Sequence, residues 1–548
     1  MDTLAGALKA IVRGEVDDSP ETLEKASRDA SIFRVKPEVV VRPKDAEDIV
    51  ALVNYVSEKK KGGANISITP RAGGTDMSGG PLNDSIILDV VNLNRIHEVG
   101  DSFAVAEPGV YFRDFDHETK KKNLELPSYT ASREICTVGG MTANNSGGEK
   151  NLKYGKTARY VTEIEAVLAD GKVHTIRKLE GDALAEKLAE EGFEGDVYRQ
   201  MAKLLSDNRT LIDRARPKVT KNSSGYALWD AGDGKTWMDL TKILVGSQGA
   251  LGIFTKMRFS LVTPKPKSAM LVLFLTDLKD LGVAVPKVLA HEPDSFESYD
   301  DHTFEIAVKY FPEFAAQMKM SMIPLGISFL PEVLAVITGG VPKLVLLVEF
   351  RAELQETALQ KARTLETEMK ALLPRVKTTL AKNESEARKY WTVRRESFNL
   401  LRKKVRGMRT APFIDDFVVP PLSLPEFLPK LNEILSHYDL TYTIAGHVGD
   451  GNFHIIPLID PKRKDAADII RELSQKVYDL VISYQGSISG EHNDGLVRTP
   501  YVEQMFGKEM VALFSEVEKI FDPLGIFNPG KKVGTDLESA RRRMDFPS

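Results

Sequence analysis

The stretch Pro70-Arg-Ala-Gly-Gly-Thr-Asp-Met-Ser-Gly-Gly80 lies between two short apolar runs, Ile66 to Pro70 and Ser85 to Val90, and it settles which nucleotide architecture this chain can adopt. Both runs have the length and β-branched content of strands, so the glycines join strand to strand. A Rossmann dinucleotide site needs G-x-G-x-x-G running from a strand into a helix, and Arg71-Ala-Gly-Gly-Thr75 does not supply it. Ordinary NAD binding is therefore disfavoured. What the turn does supply is backbone: glycines accept positive φ and let several N–H groups point at one anion, the form of a pyrophosphate cradle.

Upstream, Pro43 precedes an amphipathic run with Ile49, Val50, Leu52, Val53 and Val56 at helical spacing. Downstream come two more glycine-rich segments, each read as a turn. Thr137-Val-Gly-Gly-Met-Thr-Ala-Asn-Asn-Ser-Gly-Gly148 is followed by the strand Val161 to Leu168, and Val245-Gly-Ser-Gln-Gly-Ala-Leu-Gly252 leads into the strand Ile253 to Leu261. One such turn is as often structural as functional; three in one half of the chain point to a long, folded-over ligand. Pro264-Lys-Pro266 reads as a linker, after which Met270 to Leu275 opens a new unit as a strand. Leu344 to Phe350 reads as an apolar strand, Glu353 to Leu373 as a charged amphipathic helix, and Tyr501 to Phe521 as one helix closed by Asp522-Pro-Leu-Gly525.

At 548 residues the chain is long enough for two or three packed units. Its 74 Lys and Arg against 78 Asp and Glu leave no global field for a phosphate backbone, so nucleic acid is not an expected partner. Cys136 is the single cysteine, which excludes an intrachain disulfide and a four-thiolate cluster; any iron–sulfur centre would sit on another chain. Met1 to Ser31 has no continuous apolar core, so a cytoplasmic protein with its start retained is expected. The most apolar stretch, Met318 to Val348, is interrupted by Pro324, Pro331, Gly339 and Pro342, against a spanning helix. It reads as a helix pair and strand of a cap, and peripheral contact with the inner membrane face stays open for Met318 to Val341.

A second constellation carries chemistry: His447-Val-Gly-Asp-Gly-Asn-Phe-His454, then Ser489-Gly-Glu-His-Asn-Asp-Gly495. A lone histidine is usually a turn cap, but 3 of the chain's 9 histidines fall in these two short motifs. Two imidazoles and a carboxylate can fill three positions around a divalent ion and leave others for substrate. Adjacent residues point differently, so Glu491 and His492 can divide the work of ligand and base.

The glycine turns and these motifs resemble the flavoproteins with a vanillyl-alcohol-oxidase (PCMH) type FAD domain, in the D-lactate, glycolate and D-2-hydroxyglutarate dehydrogenase branch, from about Pro37 to Gly530. The resemblance implies an α+β fold. An N-terminal segment, 1–36, precedes a PCMH-type FAD-binding domain of two α+β subdomains, 37–263. An antiparallel-sheet substrate cap with the metal site follows at 264–500, and a C-terminal helical segment, 501–548, packs back on the FAD domain. The resemblance implies that Arg71, Ala72, Gly73, Gly74, Thr75, Asp76, Met77 and Ser78 hold the FAD pyrophosphate. Thr137, Gly139, Gly140, Ala143, Asn144, Gly147, Gly148, Gly246, Gly249, Gly252 and Ile253 would line the flavin, with Pro108, Gly109 and Asn528 completing the cofactor set. Some relatives have a histidine bonded to the flavin; this loop has Thr75, so non-covalent FAD is expected.

For the second constellation the resemblance implies that His447, His454 and Glu491 bind zinc or a similar divalent metal, His492 is the base, and Asn452 contacts substrate. Arg394, in Tyr390-Trp-Thr-Val-Arg-Arg-Glu396, matches the arginine that grips the substrate carboxylate, a role suited to a bidentate guanidinium, although surface pairing is routine in so charged a helix. The implied reaction is oxidation of a small D-2-hydroxy acid: His492 takes the hydroxyl proton and hydride passes from C2 to flavin N5. Electrons would then go to a quinone, a cytochrome, or a separate iron–sulfur or electron-transfer flavoprotein. Two positions depart from the family. Asn493 stands where many relatives have glycine after Glu-His, and asparagine tolerates the left-handed backbone better than most residues. Ile414 stands where the 2-hydroxyglutarate enzymes carry a lysine for the distal carboxylate, which favours a lactate-like substrate. Two other readings are a flavin-carrying subunit of a glycolate oxidase-like iron–sulfur complex and a metal hydrolase, and the latter makes the three glycine turns a coincidence.

Overall fold

The computed structural model describes residues 3–303, 340–404 and 407–546. The helix pair read in Met318 to Val341 falls almost wholly outside the described residues. The fold is α+β and is organised by three sheets. The first has four strands in the order Glu15–Asp17, Val39–Arg42, Ile86–Asp89, Ile68–Arg71. Val39–Arg42 and Ile68–Arg71 both run parallel to Ile86–Asp89, which requires a crossover, supplied by the helix Ala46–Lys61. Asp45 caps that helix by accepting from the N–H groups of Glu47 and Asp48, and Ile49, Leu52, Val53 and Val56 pack on Val39, Val41, Ile86 and Leu88.

The second sheet is antiparallel, ordered Ile96–Val99, Phe103–Ala106, Ile253–Ser260, Val161–Val167, Val173–Arg177. Val167 and Ile253 also belong to the first sheet's core, so the two sheets share apolar contacts. Of the three glycine segments, the first joins strands, as its flanks require. The second differs from its reading as a turn: Thr137 Oγ1 accepts from Gly140 N–H and opens a short helix, Val138–Asn144, which ends in left-handed Asn145.

The third sheet has seven antiparallel strands, with Lys267–Leu275 and Leu344–Ala352 near one end and Ile444–His447, Asn452–Ile455 and Phe417–Val418 at the other. Lys267–Leu275 begins directly after Pro266, three residues earlier than the apolar run suggests, and is buried on both faces. Leu271, Leu273 and Leu275 face helices Leu281–Ala290 and Gln355–Leu372, whereas Met270, Val272 and Phe274 face Tyr390, Trp391 and Val393 of helix Glu384–Lys404. Each such buried side chain contributes about 1.5–3 kcal/mol, which is why this strand reads as continuous rather than alternating.

The single helix read over Tyr501 to Phe521 is two, Val502–Phe506 and Lys508–Phe521, broken at Gly507, whose φ of +79° and ψ of 160° no helix contains. The chain then returns to the first sheet: Ile68 N–H donates to Ile526 O (2.7 Å) and Asn528 N–H to Ile68 O (2.9 Å). Among the described residues no helix is long and apolar enough to cross a membrane.

Candidate active site

A cavity of about 330 Å³ runs from the first glycine loop, past the second and third, to the histidine end of the seven-stranded sheet. Arg71, Ala72, Gly73, Gly74, Thr75, Asp76 and Met77 line one end. Pro108, Thr137, Gly139, Gly140, Ala143, Asn144, Gly147, Gly148, Gly249, Gly252 and Ile253 line its length. Close approach explains two of the glycines: a Cβ at Gly139 would lie 2.4 Å from Pro108 Cβ, and one at Gly249 would lie 2.2 Å from Pro70 Cγ.

Four polar side chains join the three turns. Asp76 Oδ2 accepts from the N–H groups of Ser78 (2.9 Å) and Gly80 (2.8 Å), and Asp76 Oδ1 accepts from Asn144 Nδ2 (2.6 Å). Gln248 Nε2 donates to Ser78 Oγ (3.1 Å) and Asn144 Oδ1 (3.3 Å). Asn528 Nδ2 donates to Gly80 O (3.0 Å) and Gln248 O (2.6 Å), while its Oδ1 accepts from Thr69 Oγ1 (2.8 Å). Asp29, from the N-terminal segment, accepts from Gly79 N–H (3.0 Å); burial and then the nearby Asp76 carboxylate push its pKa up to about 7.

Four of the residues expected to hold cofactor lie off the cavity wall. Ser78 and Asn528 are buried in this polar network behind the loops. Gly109 faces the carbonyls of Val90, Val91 and Leu93, with no space for a Cβ, so it fits the chain against that turn. Gly246, at φ +89°, donates to Thr142 O and accepts from Asn493 Nδ2.

At the other end His447, His454, Glu491 and His492 line the same cavity. Strand pairing sets Ala445 opposite His454 and His447 opposite Asn452, which brings the two imidazole rings to 5.3 Å. Glu491 Oε1 lies 3.2 Å from His447 Nε2 and 3.4 Å from His454 Nε2. Ligand atoms on a tetrahedral zinc at 2.0–2.1 Å are about 3.3 Å apart, a spacing that both Glu491 contacts match and that hydrogen bonds match equally well. Behind the rings, His447 Nδ1 meets Glu297 Oε1 (2.6 Å) and His454 Nδ1 meets Asp415 Oδ1 (3.0 Å), which leaves each Nε2 toward Glu491. Lys221 Nζ holds the other oxygen, Oε2, at 2.8 Å. Glu491 is held well below the usual carboxylate range, burial being outweighed by Lys221 and then His447.

The group at this site whose ligand atoms all lie within 4.8 Å of one another is Asp416, His454, Glu491 and His492, which differs from the expected set in leaving out His447. Asp416 is nevertheless already committed, because its carboxylate accepts from the N–H groups of Glu491 and His492, Ser489 Oγ and Asn452 Nδ2. It shapes the Glu491–His492 turn rather than offering a free ligand. His492 stacks on His454 at 5.1 Å, and its Nδ1 lies 2.7 Å from Asp415 Oδ2. Its pKa is raised, burial being outweighed by Asp415 and Asp416; His454 is raised to about 10, burial again outweighed, by Asp415 first. Asn493 takes the left-handed conformation expected of it, φ +68°, and its amide also donates to Gly246 O (2.8 Å), tying the turn to the third glycine segment.

Arg394 reaches the cavity and pairs with Glu297 (Nη2 to Oε2, 3.2 Å), while its buried Nε has no hydrogen-bond partner. Arg395 also lines the cavity, but both its Nε and Nη2 donate to Glu149 (3.0 and 2.5 Å). Two expectations need correction. Asn452 is fully buried behind the wall, its amide spent on Asp416, Phe417 O and Lys221. Ile414 sits in the hydrophobic core and is not among the described residues that line the cavity. Residues not foreseen are Lys221, Glu297, Asp415, Asp416 and Gln248. Asp415-Asp416 had a signal, as acids inside the otherwise apolar stretch Ala411 to Pro420; Glu297 and Lys221 had none.

The fold and cavity define a protein whose glycine-looped nucleotide unit faces a histidine and carboxylate centre on an antiparallel cap. Residues 37–177 match the family described as FAD binding domain, and residues 264–532 match FAD linked oxidases, C-terminal domain. The chain belongs to the FAD-linked oxidases with a PCMH-type FAD domain, among relatives that include D-2-hydroxyglutarate dehydrogenases, a D-lactate dehydrogenase and glycolate oxidase GlcD subunits. The D-2-hydroxyglutarate dehydrogenase of Pseudomonas putida is 29% identical over 96% of this chain, but the chain spans only 51% of that protein's length. The glycolate oxidase subunit GlcD of Bacillus subtilis is 27% identical, with 93% of this chain and 92% of the subunit covered. Of solved structures, 4-ethylphenol oxidase from Gulosibacter chungangensis superposes with TM-score 0.68 at 14% identity, covering 96% of both chains, and p-cresol methylhydroxylase with 0.66 at 16%, covering 97% of this chain and 96% of that one. These likenesses describe the fold.

Proposed function

We propose that the protein is an FAD-dependent dehydrogenase that oxidises a short, D-lactate-like D-2-hydroxy acid to the 2-oxo acid and passes the electrons to an acceptor other than NAD. The observation that carries this reading is the single cavity lined by all three glycine segments and also by Arg394, His447, His454, Glu491 and His492. FAD bound non-covalently supplies the two-electron acceptor, and a divalent ion, zinc being the best match to two imidazoles and a carboxylate, supplies a Lewis acid.

The chain's own residues do the rest. The loop Arg71 to Met77 offers backbone N–H groups to a pyrophosphate, and Asp76, Asn144, Gln248 and Asn528 hold the three turns in register. His447, His454 and Glu491 are the ligand set. His492, its Nδ1 2.7 Å from Asp415 Oδ2, is the base for the substrate hydroxyl. Arg394, with an unpaired Nε, grips the substrate carboxylate. Arg395 is taken by Glu149, which leaves Arg394 as the proposed grip on the carboxylate. This reading divides the chain at about residues 37, 264 and 501, with the last segment packed on the nucleotide loops through Asn528.

The test is anaerobic reduction of the bound flavin by a panel of D- and L-2-hydroxy acids, before and after chelation. Bleaching by a D-monocarboxylate that chelation abolishes is expected; a flavin that no 2-hydroxy acid reduces overturns the reading. A second reading, a flavin-carrying subunit of a glycolate oxidase-like complex, is favoured by the near full-length match to GlcD. With Cys136 the chain's single cysteine, an iron–sulfur acceptor would be another chain, and co-purification with a cysteine-rich partner would support this second reading. A quinone, a cytochrome or an electron-transfer flavoprotein fits the first. A cytoplasmic location, with or without peripheral contact at the membrane face, belongs to the same proposal.

A further inference from the structure

Glu297 is a buried carboxylate on strand Ser295–Asp300, in the centre of the cap sheet, with 2% of its side chain exposed. Its two oxygens face different machinery. Oε1 lies 2.6 Å from His447 Nδ1, and Oε2 lies 3.2 Å from Arg394 Nη2. A carboxylate only accepts, so the Glu297 contact keeps a proton on His447 Nδ1, and an ion held between His447 and Glu491 would then find Nε2 as the lone-pair donor. Among the described residues the same carboxylate is the charged partner of Arg394, and it fixes the end of a side chain that otherwise has several rotamers.

We infer that Glu297 is a shared positioning residue: one carboxylate sets both the tautomer of the ligand His447 and the aim of the substrate-gripping Arg394. This rests on the proposed roles of His447 and Arg394. Losing Glu297 should therefore damage two functions at opposite edges of one side chain, whereas losing either partner damages one. A glutamine keeps the shape and one carbonyl acceptor, but it removes the charge that holds the guanidinium and raises the basicity of the imidazole.

The experiment uses the full chain with FAD bound. Zinc affinity is measured by competition with a chromophoric chelator in the absence of substrate, and KM and kcat are measured for the acid that reduces the flavin. Expected for Glu297→Gln is a 10- to 100-fold loss of zinc affinity, a loss typical of removing such an outer partner. KM should rise roughly tenfold or more, and flavin content should stay at parent level. Arg394→Met should raise KM with zinc affinity within a few-fold of parent, and His447→Gln should weaken zinc while leaving flavin content unchanged. Should Glu297→Gln not accumulate folded, Glu297→Asp, one methylene shorter, is read the same way with smaller losses in both quantities. The inference is overturned if the Glu297 variant binds zinc like the parent, or if its KM is unchanged. If neither His447→Gln nor Glu491→Gln weakens zinc binding, the ligand assignment itself fails, a result distinct from failure of Glu297 alone.

Discussion

Lys221 Nζ lies 2.8 Å from Glu491 Oε2, with the lysine side chain fully buried and the glutamate 8% exposed. The pair directs Glu491 so that Oε1 alone faces the two imidazoles. Removing one partner of a buried pair leaves an uncompensated charge, at about 3–5 kcal/mol. Lys221→Met should lower the unfolding midpoint accordingly, and zinc should stabilise the variant more than the parent because the ion supplies the missing positive charge. Thermal unfolding with and without zinc checks both effects. A variant as stable as the parent would show that the pair does not hold the site.

His492 is the proposed base, and its place is set by Asp415 and by Asp416, whose carboxylate accepts from the His492 N–H at 2.7 Å. Replacing it with glutamine keeps the turn and removes the base. Flavin reduction by the D-acid in stopped flow should slow by about 10²- to 10⁴-fold, the usual contribution of a positioned base, with flavin content unchanged. A loss below tenfold would assign the proton to another group.

Asn528 connects the returning C-terminal segment to the first and third glycine turns through Thr69, Gly80 and Gln248. Asn528→Ala leaves buried partners unsatisfied, each at about 1–3 kcal/mol, and loosens two turns at once. The expected result is a protein that folds but loses flavin on gel filtration, with a dissociation constant raised at least tenfold. Retention of full flavin would show that the turns keep their register without it.

What the sequence made legible follows local chemistry. Glycines at Gly73, Gly139 and Gly249 and the strand–turn–strand flanks are short-range signals, and the cavity wall contains them. The histidine and glutamate motifs were legible for the same reason. What was missed depends on tertiary register. Gly109 looks like its neighbour Pro108 in sequence, yet one faces the cavity and the other the Val90 to Leu93 turn. Ile414 and Asp415 are adjacent, yet the first enters the core and the second anchors two histidines. Asn452 in the motif His447 to His454 reads as a substrate contact, but its amide is taken up by Asp416, Phe417 O and Lys221, partners far away in sequence. Lys221 meets Glu491 across 270 residues, a distance at which periodicity carries no information.

His174 gives the pH dependence that is easiest to isolate, because it lies away from the cavity. Its Nε2 meets Asp170 at 3.0 Å and its Nδ1 meets Glu194 at 3.1 Å, and only 12% of its side chain is exposed. Burial by itself would lower its pKa, but the bonds to Asp170 and Glu194 outweigh it and raise the value from 6.5 to about 9. A raised folded-state pKa means that the folded chain holds this proton more tightly than the unfolded one. The stabilisation is therefore complete below about pH 6.5, declines as pH rises, and is gone above about pH 9; the shift corresponds to about 3 kcal/mol. Denaturant unfolding of the parent and of His174→Gln at pH 6, 8 and 10 should show a stability difference that shrinks by about that amount across the series. A difference independent of pH would mean that the histidine is neutral in the folded protein and only fills space between the two carboxylates.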